Sequence, residues 1–322
     1  MAQQQLRWGI LGTANIARQW LCPALQRSKN GYVAGVASRT LAKAEEFAAP
    51  YRGAKTYGDY EAMLADPDID AIYIPLPNGS HVEWTLKCLE AGKHVLCEKP
   101  IALKADQIDA LIEARDRTGK FAAEAFMIAH HPQWTRVREL IAEGAIGKLK
   151  HVQGAFSFFN DNMADIRNRP EDGGGALRDI GVYPVVSTRL ATGAEPISVR
   201  SHIEWDNGID ATARATAEFP DFTMDFYVSM RMSLRQSMVF HGDKGFLTVL
   251  APFNAGAYGE SRIEIQMDNR SRWSESFTMA DQYVNQFEAF YETAVNGAEY
   301  PCTLEFSKAN QRMLDMVYEG EM

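Results

Sequence analysis

Residues 6–17 read LRWGILGTANIA. An apolar run, broken only by Arg7, ends at Gly12, and a helix is expected to start near Asn15. The segment Gly9-Ile10-Leu11-Gly12-Thr13-Ala14-Asn15-Ile16-Ala17 approximates G-x-G-x-x-A, with Ala14 where the second glycine would stand. A small residue there lets a pyrophosphate approach the backbone N–H groups at a helix terminus. This makes Gly12, Thr13, Ala14, Asn15 and Ile16 candidate cofactor contacts. A tight strand-to-helix turn without any ligand would read the same way, so the surroundings decide. Pro23 lies inside the expected first helix and should break, kink or restart it.

Moving outward, further short apolar runs follow at Tyr32–Ala37, Ala71–Pro75, His94–Cys97 and Phe121–Met127. Apolar runs without alternation suit strands buried on both faces of a parallel sheet. Helix punctuation lies between them. Ser80 with Glu83 reads as a capping box, Val82, Leu86 and Leu89 keep helical spacing, and Gly92 supplies a stop. Residues 104–118 put Ile108, Leu111 and Ile112 on one face ahead of Gly119. This alternation predicts an α/β domain with a doubly wound parallel sheet over residues 1–126, and it turns the glycine motif into a dinucleotide-binding signal.

Beyond about residue 145 the pattern changes. Strands are expected at 148–159, 198–205, 212–219, 223–232, 238–241 and 246–250, joined by turns such as Asp206-Asn207-Gly208 and Gly242-Asp243-Lys244-Gly245. Residues 127–322 are therefore expected to form an α+β domain on an open antiparallel sheet. Helices close the chain, with Tyr283, Phe287 and Phe290 on one face and Phe306, Ala309, Met313 and Met316 on another. The C-terminal helix is free to pack back on the first domain.

Composition narrows the function classes. The chain has 322 residues, 46% hydrophobic and 23% charged, with formal net charge −9. A net-acidic chain is a poor binder of nucleic acid, which runs on phosphate neutralisation. No apolar stretch approaches a membrane span, and no secretory signal pattern is visible. The four cysteines (Cys22, Cys88, Cys97, Cys302) show no CxxC spacing, so reduced thiols in a cytoplasmic protein are expected, with neither disulfide framework nor metal site.

Three further places carry chemistry. At the end of the second strand, Ser38-Arg39-Thr40 with Lys43 nearby stands where an NAD enzyme usually has a carboxylate. A hydroxyl and a guanidinium suit a 2′-phosphate, so Ser38, Arg39 and Lys43 favour NADP over NAD. Glu98-Lys99-Pro100 follows directly on the run ending at Cys97. A lysine at the carboxyl end of a parallel strand projects toward the ligand crevice, where an ammonium polarises a reacting oxygen or shuttles a proton. Finally, GGGALRDIGVYP (173–184) sets three glycines before a helix that carries Asp179 and Tyr183 four residues apart, on one face. A carboxylate beside a phenol holds a substrate hydroxyl, although spacing alone fits a packed helix terminus equally well.

Together these motifs resemble the glucose–fructose oxidoreductase, inositol dehydrogenase and rhizopine-catabolism (Gfo/Idh/MocA) family over nearly the whole chain. PLPNGSHVEWTLKCLEAGKHVLCEKPIAL (75–103) is the most specific stretch, supported by EAFMIAHHPQ (124–133), the glycine motif and QFEAFYE (286–292). The resemblance implies a Rossmann domain, a C-terminal α+β domain, a homo-oligomer (most simply a homodimer) and a nicotinamide-linked reaction on sugars, polyols or cyclic alcohols. By matching position it makes Lys99 the catalytic lysine and Asp179 and Tyr183 the second catalytic pair. Leu76, Pro77, Asn78 and His81 become cofactor-lining, together with Glu98 and Lys99, and Arg167 becomes a substrate-side arginine. Tyrosine at 183 marks the branch that resembles NADP-dependent aldose dehydrogenases and dimeric dihydrodiol dehydrogenase.

The sequence departs from that branch at Ile128-Ala129-His130, where relatives often carry a Tyr-Arg-Phe type sequence, which leaves the particular sugar open. His131 before Pro132 reads as a packed histidine. The expected activity is NADP-dependent hydride transfer at a hydroxyl or carbonyl carbon of a sugar or cyclic polyol. The alternatives are a dihydrodiol dehydrogenase or dicarbonyl reductase, and a non-catalytic dinucleotide-binding regulator. A dimer is expected through an incompletely covered sheet face, because Met224, Phe226, Val228, Met230 and Met232 alternate along 223–232.

Overall fold

The computed structural model describes residues 5–321. The chain divides into two compact units, one of residues Met1–His130 with Asp281–Lys308, the other of His131–Ala280 with Ala309–Met322. The division falls four residues beyond the expected boundary at 126, and segment 281–308 groups with the first unit.

In the first unit, β1 (Leu6–Leu11), β2 (Gly31–Ala37), β3 (Lys55–Tyr57), β4 (Ala71–Ile74), β5 (His94–Cys97) and β6 (Ala122–Glu124) form one sheet in the order β3-β2-β1-β4-β5-β6. All its pairings are parallel. This is the doubly wound order whose ligand crevice opens at the carboxyl ends of β1 and β4, where the winding reverses. All four residues of β4 are buried, as expected of a strand covered on both faces. The helix Gln282–Asn296 belongs to this unit. Its Phe287 and Phe290 rings lie 5.0 and 4.8 Å from the Trp8 indole of β1.

Two local expectations change. Ser80 makes no side-chain cap for the helix His81–Glu90. A preceding 3₁₀ turn, Asn78–Ser80, already holds Ser80 in helical geometry (φ −100°, ψ −7°), not the extended geometry a cap requires. At Pro23 the helix does not break. It widens into a π-turn over Ala17–Leu21, in which the Cys22 N–H reaches back five residues to the Ala17 carbonyl, and α-helical geometry restarts over Cys22–Arg27 with the proline in its first two positions. The wider turn relieves the clash between a proline ring and the carbonyl one turn back.

In the second unit, β7 (Leu149–Phe159), β8 (Ser198–Asp206), β9 (Ile209–Glu218), β10 (Thr223–Ser229), β11 (Arg231–Gly242), β12 (Gly245–Val249), β13 (Arg262–Met267) and β14 (Arg272–Ser276) form a sheet in the order β14-β13-β12-β11-β7-β10-β9-β8. It is antiparallel except where β7 and β10 run parallel. The expected strand 223–232 breaks at Met230, which separates β10 from β11.

The apolar face of β10 is not open. Met224, Phe226, Val228 and Met230 are all buried, under the helix Val182–Thr192, whose Thr188 hydroxyl meets the Met224 sulfur at 3.5 Å. Arg200, His202, Glu204 and Arg214 are exposed along β8 and β9, and the sheet's exposed apolar residues (Phe159, Trp205 and Leu234) lie outside the 223–232 alternation. The apolar-face argument for a dimer therefore fails. The last helix, Leu304–Glu319, buries Leu304, Ser307, Asn310, Gln311, Leu314 and Val317 with Met313. Of the expected Phe306–Met316 face, only Met313 is fully buried.

Candidate active site

In the first unit, candidate residues gather at the winding reversal. Gly12 ends β1 with φ +113°, a conformation that disfavours any side chain. A Cβ there would stand 3.0 Å from Leu76 Cδ2 and 3.9 Å from the Tyr60 hydroxyl. The loops after β1 and β4 therefore approach each other at Gly12, as the crevice of this sheet order requires. Thr13, Ala14 and Ile16 are half-buried and Asn15 is exposed at the start of the helix, whose first N–H groups have no intrahelical partner. Ser38 is buried just past β2, while Arg39 and Lys43 are exposed. The Tyr60 phenol, pushed up by burial, feels Arg39 as an opposing influence. Tyr60 was not singled out in the sequence, because it sits on the separate short helix Tyr60–Leu64 with no motif around it. Glycine at the close approach, free N–H groups at a helix start and cations without a nearby carboxylate at the end of β2 fit a phosphorylated dinucleotide.

The Lys99 turn is held by several side chains of this unit. The β5–β6 ladder ends at Cys97 and Glu124, and the chain then leaves the sheet through Glu98-Lys99-Pro100-Ile101, with a cis peptide between Lys99 and Pro100. The Glu98 N–H still donates to the Ile74 carbonyl of β4 at 3.1 Å, and from Lys99 onward side chains hold the backbone. Glu98 Oε2 accepts the Lys99 N–H at 3.2 Å, while Glu98 Oε1 accepts the Tyr73 hydroxyl at 2.6 Å. Lys99 itself is half-buried.

His81 was expected to line the cofactor. Its ring is instead wholly buried, with Nδ1 2.7 Å from the Pro100 carbonyl and Nε2 2.8 Å from the Leu76 carbonyl. It ties the 76–78 loop to the Lys99 turn. Burial pushes its pKa down, against the two carbonyls. Leu76, Pro77 and Asn78 remain half-exposed on that loop.

In the second unit, candidate residues lie on the helix that starts at Ala176 and continues through Val182–Thr192. It too contains a π-turn, Leu177–Gly181, with the Val182 N–H on the Leu177 carbonyl, immediately ahead of Pro184. Asp179 is 9% exposed, and its Oδ2 accepts from Arg167 Nε at 2.8 Å. Asp179 in turn holds the Arg167 guanidinium well above its ordinary range. Arg167 stands at the short turn Ile166–Asn168, half-buried, and also leans on Asp165 at 3.4 Å. The structure thus brings Arg167 and Asp179 together, a pairing that sequence spacing does not reveal. The Tyr183 ring packs between Phe156 (5.5 Å) and Phe253 (5.3 Å).

What anchors this helix also escaped the sequence. Asp210 on β9 is 1% exposed. Its Oδ2 accepts the Leu177 N–H at 2.6 Å and its Oδ1 the Tyr318 hydroxyl at 2.9 Å. Burial pushes the Asp210 carboxyl up to about 6. Gly175, with φ +125°, passes so close that a Cβ would stand 2.0 Å from Asp210 Oδ1. Of the residues at the departure from the branch pattern, Ile128 is buried, and His130 Nε2 lies 3.1 Å from the Tyr300 hydroxyl. His131 is 1% exposed and its Nδ1 accepts the Gln133 N–H, the packed role expected of it. None of the four cysteines is in a disulfide, and all are buried. Among the described residues no group of three or more His, Cys, Asp or Glu is placed to hold a metal ion, and no helix is long and apolar enough to cross a membrane.

Family models match both parts of the chain. The model of an oxidoreductase family with an NAD-binding Rossmann fold (GFO_IDH_MocA) covers residues 6–126, and the GFO/IDH/MocA C-terminal domain covers 134–248. The chain belongs to the Gfo/Idh/MocA oxidoreductase family. Within the family it is 33% identical over 318 residues to a D-xylose 1-dehydrogenase (NADP(+)) of Haloferax volcanii, covering 98% of this chain and 97% of that one. It is 32% identical to the trans-1,2-dihydrobenzene-1,2-diol dehydrogenase of Mus musculus, over 76% of this chain and 74% of that one. A solved structure of a 3-ketoreductase from Actinomadura kijaniata, in complex with NADP and TDP-benzene, superposes with a TM-score of 0.91 at 29% identity, covering 99% of this chain and 98% of the other.

Proposed function

We propose that this Gfo/Idh/MocA oxidoreductase uses NADP to interconvert a hydroxyl and a carbonyl on a sugar or cyclic polyol, with an aldose such as xylose or glucose as the first candidate. The observation that carries the reading is Lys99, set at the carboxyl end of β5 by a turn whose backbone is bonded to buried side chains. When bound, NADP supplies the acceptor or donor of hydride. Gly12 to Ile16 hold its phosphates on backbone N–H groups. Ser38, Arg39 and Lys43 read the 2′-phosphate.

Asp179, fixed by Arg167, orients the reacting hydroxyl through its remaining lone pairs. Lys99 and Tyr183 are the two groups able to take the hydroxyl proton, and a phenol, whose reference pKa is ~10, needs a nearby cation to do so near neutrality. Self-association as a dimer belongs to the same reading and rests on the family resemblance alone. Light scattering that returns the monomer mass across micromolar concentrations would remove it.

The test of the function is NADP⁺ reduction followed at 340 nm across aldoses, inositols, anhydrosugars and trans-dihydrodiols. Turnover confined to sugars and polyols is the expected result. Turnover confined to dihydrodiols, or none with NADPH still bound, would replace the reading.

A further inference from the structure

Glu124 has no part in the reading above. It is the last residue of β6, 3% exposed, and carries the only ionisable side chain of that strand. Burying a carboxyl is costly unless it is hydrogen-bonded, and an apolar residue would fill the same space without that cost. It accepts the Ile101 backbone N–H through Oε1 at 3.0 Å.

The position explains why a side chain is needed there. The last rung between β5 and β6 joins Cys97 to Glu124, and the Ala125 N–H closes on the Cys97 carbonyl at 2.7 Å. Beyond that rung the Glu98 N–H still reaches the Ile74 carbonyl at the end of β4 (3.1 Å), but among the described residues no strand pairs with 99–101. The Glu124 side chain reaches past the end of the ladder and supplies the acceptor that a longer strand would have supplied. Glu98, Lys99 and the Ser307 hydroxyl also face it, and burial pushes its carboxyl up to about 7.

We propose that Glu124 is the positioning residue that fixes the Lys99-Pro100-Ile101 backbone, and so sets where the Lys99 ammonium stands. It acts through Ile101 and the turn, not on substrate. Only the effect on turnover rests on Lys99 being a reacting group. The clamp itself does not.

The test joins a readout on the protein without cofactor to a kinetic one. Amide hydrogen exchange is measured at Ile101 in wild type, Glu124→Leu and Glu124→Gln. The kcat and KM are measured with NADP⁺ and D-xylose, or with the aldose of the panel that turns over fastest. Glu124→Leu is expected to speed exchange at Ile101 about tenfold or more. It should lower kcat by about tenfold to a hundredfold and leave KM for NADP⁺ within about twofold, because misplacing a reacting group costs rate, not binding. Glu124→Gln keeps an acceptor for Ile101 and should restore both the protection and most of kcat.

If Glu124→Leu does not fold, Glu124→Asp withdraws the acceptor by one methylene and should show the same split at smaller size. Unchanged protection at Ile101 in Leu or Asp overturns the clamp, as does a raised KM for NADP⁺ at unchanged kcat. Lys99→Met is run in parallel. If it keeps full turnover, the catalytic reading of Lys99 falls, while lost Ile101 protection in Glu124→Leu still establishes the clamp.

Discussion

The Lys99 turn and the helix of Asp179 and Tyr183 reach a fixed geometry by different routes. The turn is irregular backbone, and its groups are bonded to Glu98 of the turn itself and to His81 and Glu124 from two flanking elements. The helix is regular apart from its π-turn and needs only its first turn anchored, which Asp210 does at Leu177. Both devices rest on a buried carboxyl whose pKa is raised by desolvation. They differ in reach. Glu124 fixes one amide two residues from Lys99, whereas Asp210 fixes the start of a helix and its two polar residues together. A regular element transmits one anchor along its length, and an irregular one needs an anchor at nearly every residue.

The largest expected effect tests whether the two regions serve one reaction. Lys99→Met and Tyr183→Phe should each fold, bind NADPH nearly as wild type and lose ~10²–10⁴ in kcat, about 3–5 kcal/mol of barrier. If the two act as a unit, the double variant is little worse than the worse single one. Multiplicative losses in steady-state kinetics would instead assign them independent roles.

Next in size is the anchor of the helix. Gly175→Ala adds both strain at φ +125° and a clash with Asp210, and is expected to cost about 3 kcal/mol or more in urea unfolding. The control is Gly53→Ala, at φ +85° with nothing within 4 Å of the added carbon. It should cost about 1 kcal/mol. Equal losses would mean that the closeness of Asp210 does not matter.

The two carboxyls also make stability depend on pH in the same direction. Each keeps in the folded state a proton that the unfolded chain has already released, so stability is present at low pH and falls as pH rises through the window from the ordinary carboxyl range near 4 to about 6 for Asp210 and about 7 for Glu124. The fall is about 3 kcal/mol for each group. Asp210→Asn and Glu124→Gln should each flatten part of it in thermal unfolding between pH 4 and pH 7.5. If only one flattens the curve, the likeness between the two anchors breaks there.

A smaller effect lies at the cofactor. Ser38→Asp combined with Arg39→Ala should weaken NADP⁺ by about 1.5–3 kcal/mol, roughly tenfold to over a hundredfold, with little change for NAD⁺. Equal weakening of both would mean that the 2′-phosphate is read elsewhere. Smallest of all is Ser80→Ala. Because Ser80 forms no cap, it should alter stability by no more than a few tenths of a kcal/mol. Asp281→Ala, whose carboxylate accepts from Tyr283 and Val284 N–H at 3.1 Å, should cost about 1 kcal/mol.

The readable parts of this molecule were those set by local pattern. Apolar runs located β1, β2, β4 and β5 closely, because a strand buried on both faces announces itself in composition. The short edge strand β3 has no fully buried residue and carries no such signal. β14, at the edge of the second sheet, was missed for the same reason, since it is mostly exposed; β13 beside it was missed although it buries Ile263 and Ile265 in alternation. At the site, motifs pointed to Gly12, Lys99, Asp179 and Tyr183, which sit on or beside strand ends and glycines. The residues that hold them, Tyr73, Glu124, Asp210 and Tyr318, come from distant parts of the chain. The visible trace of Glu124 and Asp210 is a lone acid beside an apolar strand, as in AAEAF and GIDATA. A lone buried acid signals that something is bonded to it, but the partner is set only by tertiary contact.

The two prolines bear on how this chain compares in length with others of its fold. A π-turn holds one residue more than the α-turn it replaces, and here each such turn sits just ahead of a proline, Pro23 in one helix and Pro184 in the other. A relative without the proline has no ring to accommodate and is expected to be one residue shorter at that place, so an alignment should open a single-position gap within 17–22 or within 177–182. Deleting Ile180 from this chain would rotate Asp179 and everything before it by about 100° relative to Tyr183, which makes the helix more tolerant of a changed residue there than of a missing one.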